Sequence, residues 1–271
     1  MSVFIASIAS GSNGNCYYVG NNKEGVLIDA GISCRETEKR MRRLGLSPKN
    51  LRAIFISHEH IDHVKGVEVL SAKHDIPVYI THQTMVNGRL KIKPQLIKSF
   101  EANNPIDING FIVFAFTKSH DAIDPHSFTI QHNDITIGIF TDMGYACDNL
   151  ISHFKQCHAA FLETNYDEHM LENGRYPIHL KRRISGYEGH LSNKQALELF
   201  KAHRPAHMSH LFLSHLSKEN NHPDIAHRLF TTDAHGVEVV VASRYEETKL
   251  HHITASGAIS KPVEVKQATL F

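Results

Sequence analysis

The segment Ser57-His58-Glu59-His60-Ile61-Asp62-His63 constrains this chain more than any other. It follows directly on Ala53–Ile56, a short, continuously apolar run of the kind that forms a strand buried on both faces. An apolar helical stretch, about Val64 to Lys73, comes next. Four side chains able to bind a metal, His58, His60, Asp62 and His63, are thus packed together where a buried strand ends. Residues at i and i+2 of an extended segment point the same way, which suits His58 and His60. If the chain then turns into a helix, Asp62 and His63 face a neighbouring point, and one short loop presents two ligands to each of two cations. The alternative is a solvated histidine-rich turn, and the apolar neighbours on both sides argue against it.

Around this cluster, short strands alternate with helices. Val3–Ile8 and Cys16–Val19 read as strands joined by the turn Gly11-Ser12-Asn13-Gly14-Asn15. Gly25–Asp29 is an apolar run ending in an acid, and Arg35–Leu44 has helical spacing with Gly45 placed to stop it. Pro77–Ile80 reads as a strand and Gln83–Lys91 as a helix. Phe111–Phe116, Ser127–His132 and Thr136–Phe140 are further strands, and Ala159–Glu163 is a strand that again ends in an acid. Asn193–His203 reads as a helix capped by Ser192 or Asn193, Leu211–Ser214 as a strand, Pro223–Thr231 as a helix and Val237–Ala242 as a late strand. Many strands with interspersed helices, and polar groups where strands end, predict an α/β protein in helix–sheet–sheet–helix layers.

Composition narrows the partners. The 271 residues suit one large domain or two small ones. A net charge of +1 gives no global field to attract nucleic acid or anionic membrane, so contact with a polyanion must come from a local patch. The four cysteines, Cys16, Cys34, Cys147 and Cys157, form no CxxC pair, and a reducing cytoplasm is the expected location. The apolar start lacks a basic leader and reads as a first strand, and no apolar run approaches the roughly 20 residues of a membrane span. Most of the 22 histidines must be ordinary; His74, His132, His203, His251 and His252 are read as structural or solvated.

The cluster has companions further along. Leu27-Ile28-Asp29-Ala30-Gly31, Ser119-His120, Thr141-Asp142 and Ser214-His215 follow in an order that, with Ser57–His63 as an HxHxDH motif, resembles the metallo-β-lactamase superfamily over roughly residues 1–245. The resemblance implies an αββα four-layer sandwich, with a hydrolase domain over 1–254; residues 255–271 read as a flexible tail. It implies that His58, His60 and His120 bind one divalent ion, that Asp62, His63 and His215 bind a second, and that Asp142 bridges them. Asp29 is then a buried acid that orients the ligand loop. Two such ions about 3.5–4 Å apart share a water and lower its pKa toward roughly 7. Nitrogen and oxygen ligands without cysteine suit zinc first, and also manganese or iron.

Later motifs narrow the reaction. Gly189-His190-Leu191-Ser192 followed by Ser214-His215-Leu216-Ser217 resembles a motif pair of the tRNA 3′-processing endonucleases, which implies His190 as a proton donor oriented by Glu163. Capping of the following helix is the alternative role for His190. The longer segments, including Tyr176-Pro177, Leu180–Gly186, Gly189–Asn193 and His215–Asn221, resemble the YycJ/WalJ-like bacterial branch. That branch implies a phosphodiesterase, a 5′→3′ DNA exonuclease linked to repair, with Asp62, Glu163 and His190 as catalytic residues. Asn15, Lys181, Arg182, Ser217 and Asn220 are expected to meet substrate phosphates. A solvated charge run is the alternative for Lys181–Arg183. His126 and Cys16 depart from the branch's pattern. A small-molecule hydrolase acting on a cyclic phosphodiester or thioester is the competing reading.

The chain ends in Gln267-Ala268-Thr269-Leu270-Phe271. This resembles the Gln-x-x-Leu-Phe peptide by which bacterial replication and repair proteins bind the sliding clamp. Gln267, Leu270 and Phe271 would enter a pocket as an amide and two apolar anchors. Packing back as an edge strand is the alternative.

Overall fold

The computed structural model describes residues 2–256, so the Gln267–Phe271 motif and nearly all of the expected tail lie outside the described residues. The chain forms two seven-stranded sheets. The first contains β1 (Val3–Ala9), β2 (Cys16–Gly20), β3 (Gly25–Ile28), β4 (Leu51–Phe55), β5 (Val78–Tyr79), β6 (Ile97–Lys98) and β14 (His251–Ile253), in the order β14-β1-β2-β3-β4-β5-β6. The second contains β7 (Ile106–Ile108), β8 (Phe111–Thr117), β9 (His126–His132), β10 (Ile135–Phe140), β11 (Ala159–Glu163), β12 (His210–Ser214) and β13 (Glu238–Val241), in the order β13-β12-β11-β10-β9-β8-β7. Strands β3 to β6 run parallel, as do β10 to β13.

The continuous apolar runs are explained by what each face meets. Along β1, Val3 and Ile5 point between the sheets while Ala6 and Ile8 point outward. Along β4, Ala53 and Phe55 point between the sheets and Ile54 outward. The outward side chains of the first sheet pack with Met41 of α1 (Cys34–Arg43) and with Val67 and Leu70 of α3 (Val67–His74). Between the sheets lie Phe55, Phe128, Ile137, Phe161 and Phe212. The outer face of the second sheet, with Phe140, Leu162 and Leu213, packs on Phe154 of α5 (Asp148–Phe154), Phe200 of α8 (Asn193–His203) and Phe230 of α9 (Pro223–Thr231). These side chains are fully or almost fully buried, each worth roughly 1.5–3 kcal/mol of transfer free energy. The result is the helix–sheet–sheet–helix sandwich the sequence predicts.

Some boundaries differ from expectation. The helix expected over Val64–Lys73 is two: α2 (Ile61–Val64) and α3, broken at Gly66. There the backbone N–H donates to Ala30 O, and a Cβ would lie 2.0 Å from Ile32 O, so the neighbouring loop passes where a regular helix would present a side chain. The helix expected over Gln83–Lys91 is α4 (His82–Asn87), capped by the Thr81 hydroxyl and ended where Arg89 turns to φ 52°. Helices α5, α6 (Glu168–Asn173) and α7 (Ile178–Ile184), the short strands β6 and β7, and strand β14, which closes the first sheet against β1, are additional. Among the described residues no helix is long and apolar enough to cross a membrane.

The parallel strands of both sheets deliver their carboxyl ends to one edge of the sandwich, where ligands of open α/β sheets are received. Asp29 follows β3, Ser57–His63 follows β4, Asp142 follows β10, Glu163 ends β11 and His215 follows β12. Asp29, Asp142 and His215 adopt left-handed backbone conformations, with φ 61°, 56° and 57°. Three non-glycine residues in this region at one edge mark a place where the backbone bears strain to aim side chains.

Candidate metal centre

The ligand loop hangs from one buried carboxylate. Asp29 Oδ1 accepts from Ser57 N at 2.8 Å, Oδ2 accepts from Ser57 Oγ at 2.8 Å, and His63 Nδ1 lies 2.7 Å from Oδ2. A carboxylate only accepts, so His63 Nδ1 carries the proton and its Nε2 turns to the centre. With the Ser57 hydroxyl donated to Asp29, its oxygen is left to accept from His58 Nδ1 at 2.9 Å, which directs His58 Nε2 inward. The loop is tied from below by Asn15 N→Asp62 O at 2.7 Å, Gly31 N→Asn15 O at 2.8 Å and Ala30 N→His63 O at 2.9 Å. Gly31 is required by this contact, since a Cβ there would lie 1.6 Å from Asp62 O.

The expected ligands form two groups. In the first, His60 Nδ1 lies 3.1 Å from His58 Nε2 and 3.4 Å from His120 Nε2. The Nδ1 of His120 donates to the Gly189 carbonyl at 3.2 Å, so its Nε2 is also an open lone pair. Burial pushes His58 and His120 down, His120 to about 3, and keeps them neutral. Ring nitrogens of three histidines converging on one point in this way are the donor set of a cation. In the second group, Asp62 Oδ2 lies 3.5 Å from His63 Nε2 and 3.6 Å from His215 Nε2. Asp142 stands between the groups, 3.2 Å from His63 Nε2, 3.3 Å from His215 Nδ1 and 3.9 Å from His120 Nε2. Its Oδ2 and His215 Nε2 are buried and without a hydrogen-bond partner. Burial pushes His63 and His215 down, but the carboxylates around them, Asp142 first, outweigh it and raise both, His215 to about 10. The centre therefore carries a surplus of negative charge that protons or metal ions must balance. On all these grounds the residues fit two divalent cations.

Glu163 does more than the sequence reading assigns to it. Its Oε1 lies 2.8 Å from His190 Nδ1 and 2.8 Å from His215 Nδ1, and Oε2 accepts from Met143 N at 2.8 Å and Leu191 N at 3.2 Å. Burial pushes its carboxyl up, but the neighbouring His190 and the hydrogen bonds from His190 and His215 prevail and hold it at about 2. Helix α8 is capped by Ser192, whose Oγ accepts from Gln195 N while Gln195 Oε1 accepts from Ser192 N. His190 has no capping duty and lines the cavity over the ligands.

That cavity holds about 240 Å³ and is rimmed by Ser12, Asn165, Tyr176, Arg183 and Ser217. Of the five residues expected to meet phosphates, only Ser217 borders it. Asn15 is fully buried beneath the ligands, its Nδ2 3.1 Å from both Asp62 Oδ2 and His63 Nε2. Asn220 is buried beside Ser217, with its N–H donating to Ser217 Oγ at 3.2 Å. Lys181 Nζ donates to the Glu172 carbonyl at 2.7 Å, and Arg182 lines a neighbouring cavity beside Tyr187. Arg183 reaches the centre instead, with Leu180 and Ile184. That is the i, i+3, i+4 face of α7, a spacing that would have singled out Arg183 had the helix been recognised. Asn165, whose Nδ2 donates to His215 O at 2.9 Å, was also missed, although it lies beside Glu163 in the same motif. His126 supports the ligand loop through its backbone, N→Ser57 O at 2.9 Å, while its ring packs edge-on against Phe100. Cys16 is buried in the outer core of the first sheet.

The fold and the paired donor groups define a metal-dependent hydrolase, and the chain belongs to the metallo-β-lactamase superfamily, whose sequence signature matches residues 9–136. Within that class it is 33% identical over 231 residues to exodeoxyribonuclease YycJ of Bacillus anthracis, covering 83% of this chain and 87% of that protein. In structure it is similar to the metallo-β-lactamase fold protein YhfI of Bacillus subtilis, with a TM-score of 0.70 at 17% identity, covering 92% of this chain and 99% of the other. It is likewise similar to the short form of human tRNase Z, with a TM-score of 0.62 at 16% identity, covering 91% and 98%.

Proposed function

We propose that the protein is a binuclear metal-dependent phosphodiesterase that degrades DNA from strand ends in the 5′→3′ direction, with a role in repair. The observation that carries this reading is the Glu163–His190 pair, 2.8 Å apart beside two cation-binding groups. An amide or thioester hydrolase has less need of a dedicated donor, whereas a sugar alkoxide leaving group must be protonated. The relative named an exodeoxyribonuclease supports DNA as the substrate class. In this reading His58, His60 and His120 would hold one ion, Asp62, His63 and His215 the other, and Asp142, which faces both groups, would contribute to both. Two divalent ions there, zinc first and manganese or iron as alternatives, would supply acidification of a water and Lewis-acid polarisation of the phosphodiester. His190 gives its proton to the departing oxygen, and Glu163 holds its ring in place. Arg183 and Ser217 border the phosphate's path.

The test is cleavage of end-labelled single- and double-stranded DNA with zinc or manganese, alongside Asp62→Ala. Removing a ligand costs several kcal/mol of charge stabilisation, so the variant is expected to fall by roughly a thousandfold. Equal activity in both proteins would sink the reading. Hydrolysis of a bis-aryl phosphodiester without any DNA cleavage would favour a small-molecule substrate.

A further inference from the structure

A second cavity, of about 460 Å³, adjoins the metal centre through Ser217, which lines both. It lies between the loop after β12, the start of α9 and the loop after β13. Arg244 is the guanidinium inside it. Its donors meet only neutral acceptors: the Leu216 carbonyl, and Ser12 Oγ and Asn13 Oδ1 at 3.4 Å each. Arg183, the guanidinium lining the metal-site cavity, pairs with Asp121, whereas among the described residues Arg244, half-buried in its own cavity, pairs with no carboxylate. Partial burial pushes its pKa down, so the site bears the cost of an unmatched charge. A planar fork of donors left without an acid is suited to a phosphate, which it can grip through two parallel hydrogen bonds. Lys218 and His222 add donors to the wall, and Tyr245, 72% exposed at the rim, offers a flat ring on which a base can stack.

On the footing that the protein is a nuclease, we propose that this cavity is a substrate subsite: Arg244 holds the phosphate adjacent to the scissile one, and Tyr245 carries the base between them. That phosphate is either the 5′-terminal monoester of the strand or an internal diester. The experiment is steady-state cleavage of 5′-phosphorylated and 5′-hydroxyl single strands by the metal-loaded wild type, Arg244→Ala, Arg244→Lys and Tyr245→Ala. Loss of a charge-assisted phosphate contact is expected to raise KM in Arg244→Ala by about tenfold or more, with kcat changed by less than about threefold and partial recovery in Arg244→Lys. Tyr245→Ala, an exposed site that does not threaten folding, is expected to raise KM by about threefold or more. A wild-type preference for the 5′-phosphate that Arg244→Ala erases assigns the terminal monoester; an equal rise on both strands assigns the diester. Unchanged KM in the Arg244 and Tyr245 variants overturns the subsite, as does a fall in kcat alone, which would mark Arg244 as a prop for the Leu216 loop. If the wild type hydrolyses a bis-aryl phosphodiester but neither strand, the nuclease reading fails and the subsite with it; active wild type with indifferent variants sinks the subsite alone.

Discussion

At the scale of single residues, the two histidines on Glu163 are separable. Replacing His190 with Ala removes a proton donor and no expected ligand. Such a donor contributes about 10²–10⁴-fold, so DNA cleavage should fall by that factor while elemental analysis still finds the metal content of the wild type. The loss should be much smaller on bis(4-nitrophenyl) phosphate, whose phenolate departs without a proton; equal losses on both substrates would remove His190 from that role. Glu163→Gln should behave differently. The same Oε1 faces His215 Nδ1, so this variant should lose both turnover and about 10–100-fold in metal affinity. The ligands were legible because four lie within one short segment and the others sit in short motifs with their neighbours. Arg244 was not legible: its contacts to Ser12 and Asn13 span more than 230 residues, and nothing around it in sequence announces them.

At the scale of elements, the site depends on loops passing within backbone distance of each other. Gly31→Ala would set a methyl 1.6 Å from Asp62 O, so the ligand loop must move. A shift of this kind costs roughly 1–3 kcal/mol or more, and the variant should melt earlier and bind the second metal more weakly than the first, as read by calorimetry and metal titration. Normal melting and full metal content would show the loop to be more yielding than its packing implies. The layer order was readable from apolar runs because both faces of the central strands are buried. The break at Gly66 and the short helices α6 and α7 were not, since the first answers to a distant loop and the others bury few side chains.

At the scale of the whole molecule, the two sheets meet at His210 of β12 and His251 of β14, whose rings are 5.3 Å apart and pack with Phe212. Burial pushes both down to about 4. Glu238 Oε2 lies 3.3 Å from His210 Nε2 but does not offset this, being partly open to water and itself pushed up by burial. The folded pKa lies below the unfolded one, so this stabilisation is complete above about pH 6.5 and is lost as pH falls from there toward 4. The unfolding free energy measured across that window should drop by on the order of 2 kcal/mol more for the wild type than for a His210→Gln, His251→Gln double variant. Parallel profiles would dismiss the pair. The tail poses a separate question. Deleting residues 267–271 is expected to abolish co-elution with the sliding clamp and leave hydrolysis of naked DNA intact; unchanged co-elution would dismiss that partner.

The shared oxygen of Glu163 has a consequence for how the centre can fail. One carboxylate, fixed by two backbone N–H groups, sets the orientation of a histidine for each of two tasks. Displacement of His215 leaves that carboxylate anchored by its backbone donors and still holding His190, whereas displacement of the carboxylate disorients both rings at once. A fault at Glu163 should therefore disable both tasks together, while a fault at either histidine disables one.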